Sequence, residues 1–158
     1  MIYSRKLLSV IGLEDSAATP INQGAPIRGA AGMIMTLALC PTGTGPSLHA
    51  HRQTFETFTL LQGRFEFSWN DGGDCRAELD RFDTISILPG VCRGFRNISA
   101  EEGIVQVLIK GGVHDMQDID FPPATASALA AFGPEVVAAF EACGMRFSAG
   151  KSSSNQVL

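Results

Sequence analysis

The residues with the clearest chemical potential are two histidines, His49 and His51, followed five positions later by Glu56. Side chains alternate between the two faces of a β-strand, so His49 and His51 on one strand would point the same way. Glu56 lies at an odd offset, and it joins them only if a turn or bulge resets the register or if it lies on the next strand. Two imidazoles and one carboxylate suit a divalent transition metal. The alternative is a set of polar side chains that only hydrogen-bond one another.

Short strands separated by turn residues must position these side chains. Residues 70–73 (Asn-Asp-Gly-Gly) have the composition of a hairpin turn. Turn residues recur about every eight to twelve positions, which is typical of an antiparallel sandwich or barrel. Apolar runs and polar–apolar alternation predict strands at 33–39, 55–61, 64–69, 76–79, 84–88, 94–98 and 104–109.

The last third of the chain has a different composition. Residues 124–143 are rich in alanine, and Pro134 stands where a second helix would begin. These features predict two short helices packed outside the strands. The polar, serine-rich residues 151–158 predict a disordered end. We therefore divide the chain into a β-domain over 1–120, a helical segment over 121–147 and a flexible tail over 148–158.

The composition of the chain indicates which classes of protein it fits and which it does not. Apolar residues make up 45% of the 158 residues and charged residues 18%, as in one globular domain. The net charge is −4 and there is no basic run, which argues against nucleic acid as a partner. Apolar runs are too short to span a membrane, and the N-terminus does not resemble a signal peptide. Four widely spaced cysteines without a CxxC pair favour reduced thiols and a cytoplasmic location.

Two sequence motifs resemble those of the cupin family, which are small antiparallel β-barrels of the jelly-roll type. The first motif is a glycine, then His-x-His, a glutamate and a second glycine, matched by Gly45, His49, His51, Glu56 and Gly63. The second is an aspartate, a Pro-Gly turn and an asparagine, matched by Asp83, Pro89, Gly90 and Asn97. The resemblance implies a single jelly-roll barrel with His49, His51 and Glu56 as metal ligands. It also implies a homodimer, because cupins often pair through their sheets or N-terminal strands, and residues 1–10 carry an apolar stretch.

The chain departs from the cupin pattern at two positions. Phe82 stands where a glycine usually precedes the aspartate of the second motif, which alters a turn. Arg93 stands where most metal-binding cupins have a fourth ligand, a histidine. Arginine stays protonated and does not ligate metals. It has three possible roles: an ion pair with Glu56 in place of the metal, a contact with an anionic substrate, or an outward-facing solvated charge.

Two hypotheses about function follow. The first, which the cupin resemblance implies, is a metal-dependent enzyme of the dioxygenase type acting on a small organic acid, phenol or diketone. In it Arg93 is a catalytic residue that stabilises negative charge. Its cofactor would be iron, manganese, nickel or zinc. The second is a metal-free cupin that binds or senses a small anion without turnover. Three nearby residues have simpler interpretations: Gln53 as an exposed turn residue, Cys92 as a small buried side chain and His114 as a surface or helix-cap histidine.

Overall fold

A computed structural model describes residues 6–13, 24–29, 31–113 and 115–150. Its strands are β1 (Lys6–Gly12), β2 (Ile27–Arg28), β3 (Met33–Cys40), β4 (Ala50–His51), β5 (Phe55–Gln62), β6 (Phe65–Trp69), β7 (Cys75–Leu79), β8 (Thr84–Ile87), β9 (Arg93–Asn97), β10 (Gly103–Lys110) and β11 (Ile119–Asp120). Its helices are α1 (Asp115–Asp118), α2 (Pro123–Ala130) and α3 (Pro134–Ala142). All seven predicted strands are present, with ends that differ by one residue at most.

The strands form two main sheets. The larger has the order β2-β1-β3-β10-β5-β8, and the smaller has the order β7-β6-β9. Their strand pairs are antiparallel except for the short parallel pair of β1 and β2. A third pair, β4 and β11, lies beside the candidate site. The arrangement is a jelly roll, as predicted, although the hydrogen bonds within the described ranges do not join its sheets into one closed ring.

A phenylalanine cluster fills the space between the sheets. Phe58 comes from the large sheet, whereas Phe65, Phe67 and Phe95 come from the small one. Their ring centroids lie 5.0–5.7 Å apart, and each ring is at least nine-tenths buried. Burying one such ring contributes roughly 1.5–3 kcal/mol, so this cluster is a major source of stability.

Phe55 differs from the other strand phenylalanines. Its apolar side chain predicts a place in the core with Phe58, Phe65, Phe67 and Phe95, but the residue is 48% exposed. On β5 the buried positions are Glu56, Phe58 and Leu60, so the neighbouring Phe55 must face outward. The strand thus gives an inward position to a carboxylate and leaves an aromatic ring in solvent.

The C-terminal segment forms a second, smaller core. The two predicted helices are present as α2 and α3. Ahead of them, β11 pairs with β4, a contact that sequence patterns did not predict. Ile119, Phe121 and Met145 are buried together, with Phe140 and Phe147 packed against them. This cluster fixes the segment against the end of the sheets that carries the histidines. Residues 151–158, where disorder was predicted, lie outside the described part of the chain.

Two positions in the cupin motifs show why backbone conformation matters. A Cβ atom on Gly45 would lie 2.0 Å from the carbonyl oxygen of Phe95, so only glycine fits there. Phe82 adopts the left-handed conformation with a φ of 76°, although it is not glycine. The turn therefore keeps a left-handed residue, and the phenylalanine bears the associated strain.

Among the described residues, no helix is long and apolar enough to cross a membrane.

Candidate metal centre

His49, His51 and Glu56 converge inside the jelly roll. One potential ligand atom from each lies within 4.8 Å of the other two. The residues at 52–54 form a bend between β4 and β5, which resets the register and turns Glu56 inward. His49 is held beside β9 by a pair of backbone hydrogen bonds with Arg93, of 3.0 and 2.8 Å. The odd spacing of Glu56 from the histidines required such a register change, and the bend supplies it.

The His49 imidazole has a defined tautomer. Its Nδ1 lies 2.7 Å from the carbonyl oxygen of Ser47, which can only accept a hydrogen bond, so Nδ1 carries the proton. Nε2 is then the nitrogen with a lone pair. Burial, with Arg93 and His51 nearby, holds the pKa of His49 well below its usual range. The ring is therefore neutral at physiological pH, which is the form that ligates metals.

The His51 imidazole is oriented by Thr54 and Asp118. The Thr54 hydroxyl donates its proton to the Asp118 carboxylate at 2.7 Å, so it must accept from His51 Nδ1 at 3.1 Å. His51 Nδ1 also lies 3.5 Å from Asp118 Oδ2. Nε2 is again the nitrogen with the lone pair, and it lies 3.8 Å from Glu56 Oε2. A histidine whose Nδ1–H is engaged in this way is the usual arrangement in metal sites.

Asp118 is a residue of the candidate site that the sequence did not indicate. It is fully buried, and its carboxylate accepts hydrogen bonds from the backbone of Gln53 and Thr54 as well as from the Thr54 hydroxyl. Burial alone would raise the pKa of Asp118, but hydrogen bonds from His51 and Thr54 outweigh it and hold the pKa well below its usual range. No local motif marks this aspartate, because it reaches the site through contacts distant in sequence: the pairing of β11 with β4 and hydrogen bonds from Arg52 to the backbone of Asp118 and Ile119.

Arg93 is buried beside Glu56. The residue is 1% exposed, and its Nη1 donates to the carbonyl oxygen of His49 at 2.8 Å. Its Nη2 donates to Glu56 Oε2 and forms a buried ion pair. The outward-facing, solvated role considered for Arg93 is therefore wrong, since β9 directs this side chain inward. The other two roles both require an inward guanidinium.

A cavity of about 80 Å³ adjoins these side chains. This volume exceeds the roughly 10–15 Å³ that one water requires on the same measure. Its polar part includes Thr36 as well as His49, His51, Glu56 and Arg93. Its apolar walls include Phe58, Phe95, Val107, Ile109, Ile119 and Phe121. A mostly apolar cavity with a few convergent polar groups is typical of a small-molecule site.

Three other residues were considered near the site. Gln53 has an exposed side chain, as expected of a turn residue. Cys92 is fully buried, and burial raises the pKa of its thiol to about 11, with smaller contributions from Asp71 and Asp120. A thiol with so high a pKa is a poor nucleophile at neutral pH. His114 lies outside the described residues.

The fold and the site resemble those of cupins. Residues 36–109, just under half of the chain, match the cupin domain family, and this range contains His49, His51, Glu56 and Arg93. This match and the jelly-roll fold support a cupin superfamily protein. No significant match to this chain was found among curated proteins.

Solved structures similar to this chain include three bacterial proteins. A protein from Bacillus halodurans has a TM-score of 0.52 and 16% identity, over 56% of this chain and 69% of that one. The DMSP lyase DddQ from Ruegeria pomeroyi has a TM-score of 0.54 and 18% identity, over 68% of this chain and 47% of the lyase. A cupin 2 conserved barrel domain protein from Salinispora arenicola has a TM-score of 0.46 and 17% identity, over 52% of this chain and 66% of that one. At these identities the first two similarities support the fold alone.

Proposed function

We propose that this protein is a metal-dependent cupin enzyme of the oxygenase type that acts on a small oxygenated organic substrate. The observation that carries the proposal is the orientation of the two imidazoles. Each has its Nδ1–H engaged, by Ser47 or by Thr54 and Asp118, so each offers an Nε2 lone pair toward the cavity side. Electron-pair donors of His49, His51 and Glu56 then face one another in a buried space, an arrangement that a cation stabilises.

The residues fit a divalent transition metal, with His49, His51 and Glu56 as its ligands. Such a metal supplies Lewis acidity and, if it is redox-active, the ability to engage dioxygen. A three-ligand site leaves positions open for a substrate's oxygen atoms. The apolar cavity walls exclude water and strengthen the electrostatic interactions inside. Arg93 would hold or stabilise negative charge on the substrate with its fork of donors.

A second candidate function is metal-free binding of a small anion. The observation that favours it is the ion pair of Arg93 with Glu56, which satisfies the carboxylate without a metal. In this case an incoming anion would compete with Glu56 for the guanidinium, and the histidines would serve as hydrogen-bond partners. The two candidates differ in one measurable property, which is whether the protein holds a stoichiometric metal.

Elemental analysis of untagged protein, purified without added metal and then loaded separately with Fe²⁺, Mn²⁺, Ni²⁺ and Zn²⁺, tests the first candidate. We expect about one metal per chain in the wild type and none in His49→Ala, with circular dichroism showing that the variant stays folded. His114→Ala is the matched control, since it removes the remaining histidine of the sequence and should leave metal content unchanged. Wild-type protein without metal under every loading condition would instead support the second candidate.

Oxygen consumption tests the oxygenase assignment. The Fe²⁺-loaded protein should consume dioxygen in the presence of at least one member of a panel of small carboxylic acids, phenols and diketones. Glu56→Gln should abolish this consumption, because the neutral amide is a weaker metal ligand than the carboxylate. Stoichiometric metal with no dioxygen uptake across the panel would retain the metal centre and overturn the oxygenase assignment.

A further inference from the structure

The charge of Arg93 links the candidate metal site to the cavity beside it. The guanidinium is almost completely buried and remains protonated, so its charge must be balanced by groups within reach. Glu56 now provides that balance through its Oε2. The same carboxylate is the one acidic member of the candidate metal triad. A metal and Arg93 would therefore share a single buried carboxylate.

The ion pair of Arg93 and Glu56 shows what such sharing does. A metal that binds Glu56 takes the carboxylate that now balances Arg93. The guanidinium stays protonated, in an enclosed space where unbalanced charge is costly. A small anion beside Arg93 would restore the balance.

The cavity places that anion next to Arg93. Arg93, Gly94 and Phe95 of β9 all line it, as do His49 and Glu56. A planar carboxylate matches the guanidinium fork and can accept two parallel hydrogen bonds. The apolar side walls suit a small organic remainder rather than a second charged group.

We infer that a divalent metal and a small monocarboxylate bind this site with positive cooperativity, because the metal draws Glu56 away from Arg93 and so frees the guanidinium charge for the carboxylate. This inference rests on the proposed metal centre and names monocarboxylates as its ligand class. Without metal, Glu56 occupies Arg93 and the carboxylate binds weakly. Coupling is reciprocal, so the carboxylate tightens metal binding by the same factor that the metal tightens carboxylate binding.

Isothermal titration of the full chain with Mn²⁺, in the absence and presence of acetate, tests the inference. We expect acetate to tighten Mn²⁺ binding by about 10- to 100-fold, a typical range for coupled sites. Acetamide, which has a similar shape but no charge, should have no such effect. Mn²⁺ should also enhance the nuclear relaxation of acetate protons, which requires the two ligands to lie close together in the same protein molecule.

Variants of residues on β9 test whether the coupling between Mn²⁺ and acetate depends on the Arg93 side chain. Arg93→Met removes the charge and retains an unbranched side chain, so Mn²⁺ should still bind but acetate should no longer affect it. Arg93→Lys, which keeps the charge and loses the fork, should retain part of the coupling and provides a second test if Arg93→Met does not fold. Arg96→Met is the matched control, since Arg96 lies on the same strand with a side chain 58% exposed, and it should behave like the wild type.

The possible outcomes distinguish failure of the cooperativity inference from failure of the proposed metal centre. Stoichiometric Mn²⁺ binding that acetate does not change, or changes equally in Arg93→Met, would overturn the inference and leave the proposed metal centre intact. Failure of Mn²⁺, Zn²⁺ and Ni²⁺ to bind with or without acetate would overturn both. Tight acetate binding by the metal-free protein would also overturn the inference, because Glu56 would then not compete for Arg93.

Discussion

Replacing Asp118 with asparagine tests whether this residue positions His51 for metal binding or only stabilises the fold. The Asp118 carboxylate accepts three hydrogen bonds of 2.7–3.0 Å from Gln53 and Thr54, and it lies 3.5 Å from His51 Nδ1. Asparagine keeps one acceptor and places an amide donor against a backbone N–H. The loss of a charge-assisted bond, and the unsatisfied donor, should destabilise the fold by about 2–3 kcal/mol. For a chain of this size that lowers Tm by roughly 4–12 °C.

The same substitution should weaken metal binding by about 10- to 100-fold, the usual effect of removing a carboxylate that orients a ligating histidine. Asp120→Asn is the matched control. Asp120 is a second buried aspartate, on β11, but it accepts hydrogen bonds from Ser148 and Ala149 rather than supporting His51. We expect it to lower Tm and to leave metal affinity unchanged. Calorimetric melting and metal titration of both variants provide the comparison.

The pH dependence of Asp118→Asn adds a second check. Because the folded-state pKa of Asp118 is depressed, the carboxylate contributes stability that is fully present above its unfolded pKa of about 3.9 and is lost as pH falls below that value. The stability difference between wild type and variant should therefore be constant near neutrality and shrink below about pH 4. If Asp118→Asn melts early but binds metal as tightly as the wild type, or if Asp120→Asn weakens metal binding equally, Asp118 does not position His51.

Three further predictions concern other parts of the molecule. Arg93→His supplies the fourth ligand usual in metal-binding cupins, a third imidazole, and removes a buried charge. Metal titration should therefore show binding at least about 10-fold tighter than wild type; equal affinity would mean that the guanidinium does not oppose the metal. Phe82→Gly should raise thermal stability by about 0.5–1 kcal/mol, since glycine accepts the left-handed conformation, whereas Phe82→Ala, which keeps a Cβ, should gain less; an equal gain would point to the exposed ring instead. Light scattering should report a homodimer with twice the 16.8 kDa mass of the chain, because an edge strand such as β8 needs covering; a monomer at micromolar concentration would contradict this.

The sequence predicted most of the fold because strand periodicity and turn residues are local signals. It also brought His49, His51 and Glu56 together as candidates, since the cupin motif includes the spacing across the bend at 52–54. The same bend explains the error at Phe55. Adjacent residues on a strand cannot both face inward, so an inward Glu56 requires an outward Phe55. Apolar character alone did not reveal which of the two the register would bury.

The remaining features depend on contacts between distant parts of the chain. Asp118 reaches His51 through a strand pair of two residues on each side, too short to leave a periodic pattern. The choice among the three roles of Arg93 required knowing which way β9 faces at that position. At Phe82, the sequence indicated an altered turn, but the backbone keeps a left-handed conformation, which is strained for a residue with a Cβ atom. In each case the deciding information is three-dimensional.

The residues of the candidate site come from two separate stretches of sequence, which meet where β4 pairs with β11. The candidate ligands lie within the cupin domain at 36–109, whereas Asp118, Ile119 and Phe121 lie beyond it. Substitutions in the later stretch would alter the basicity of His51 and the shape of the cavity without touching any residue of the cupin motifs. Proteins with identical motifs can thus diverge in chemistry through an appended segment, and laboratory evolution of this chain has a natural target there.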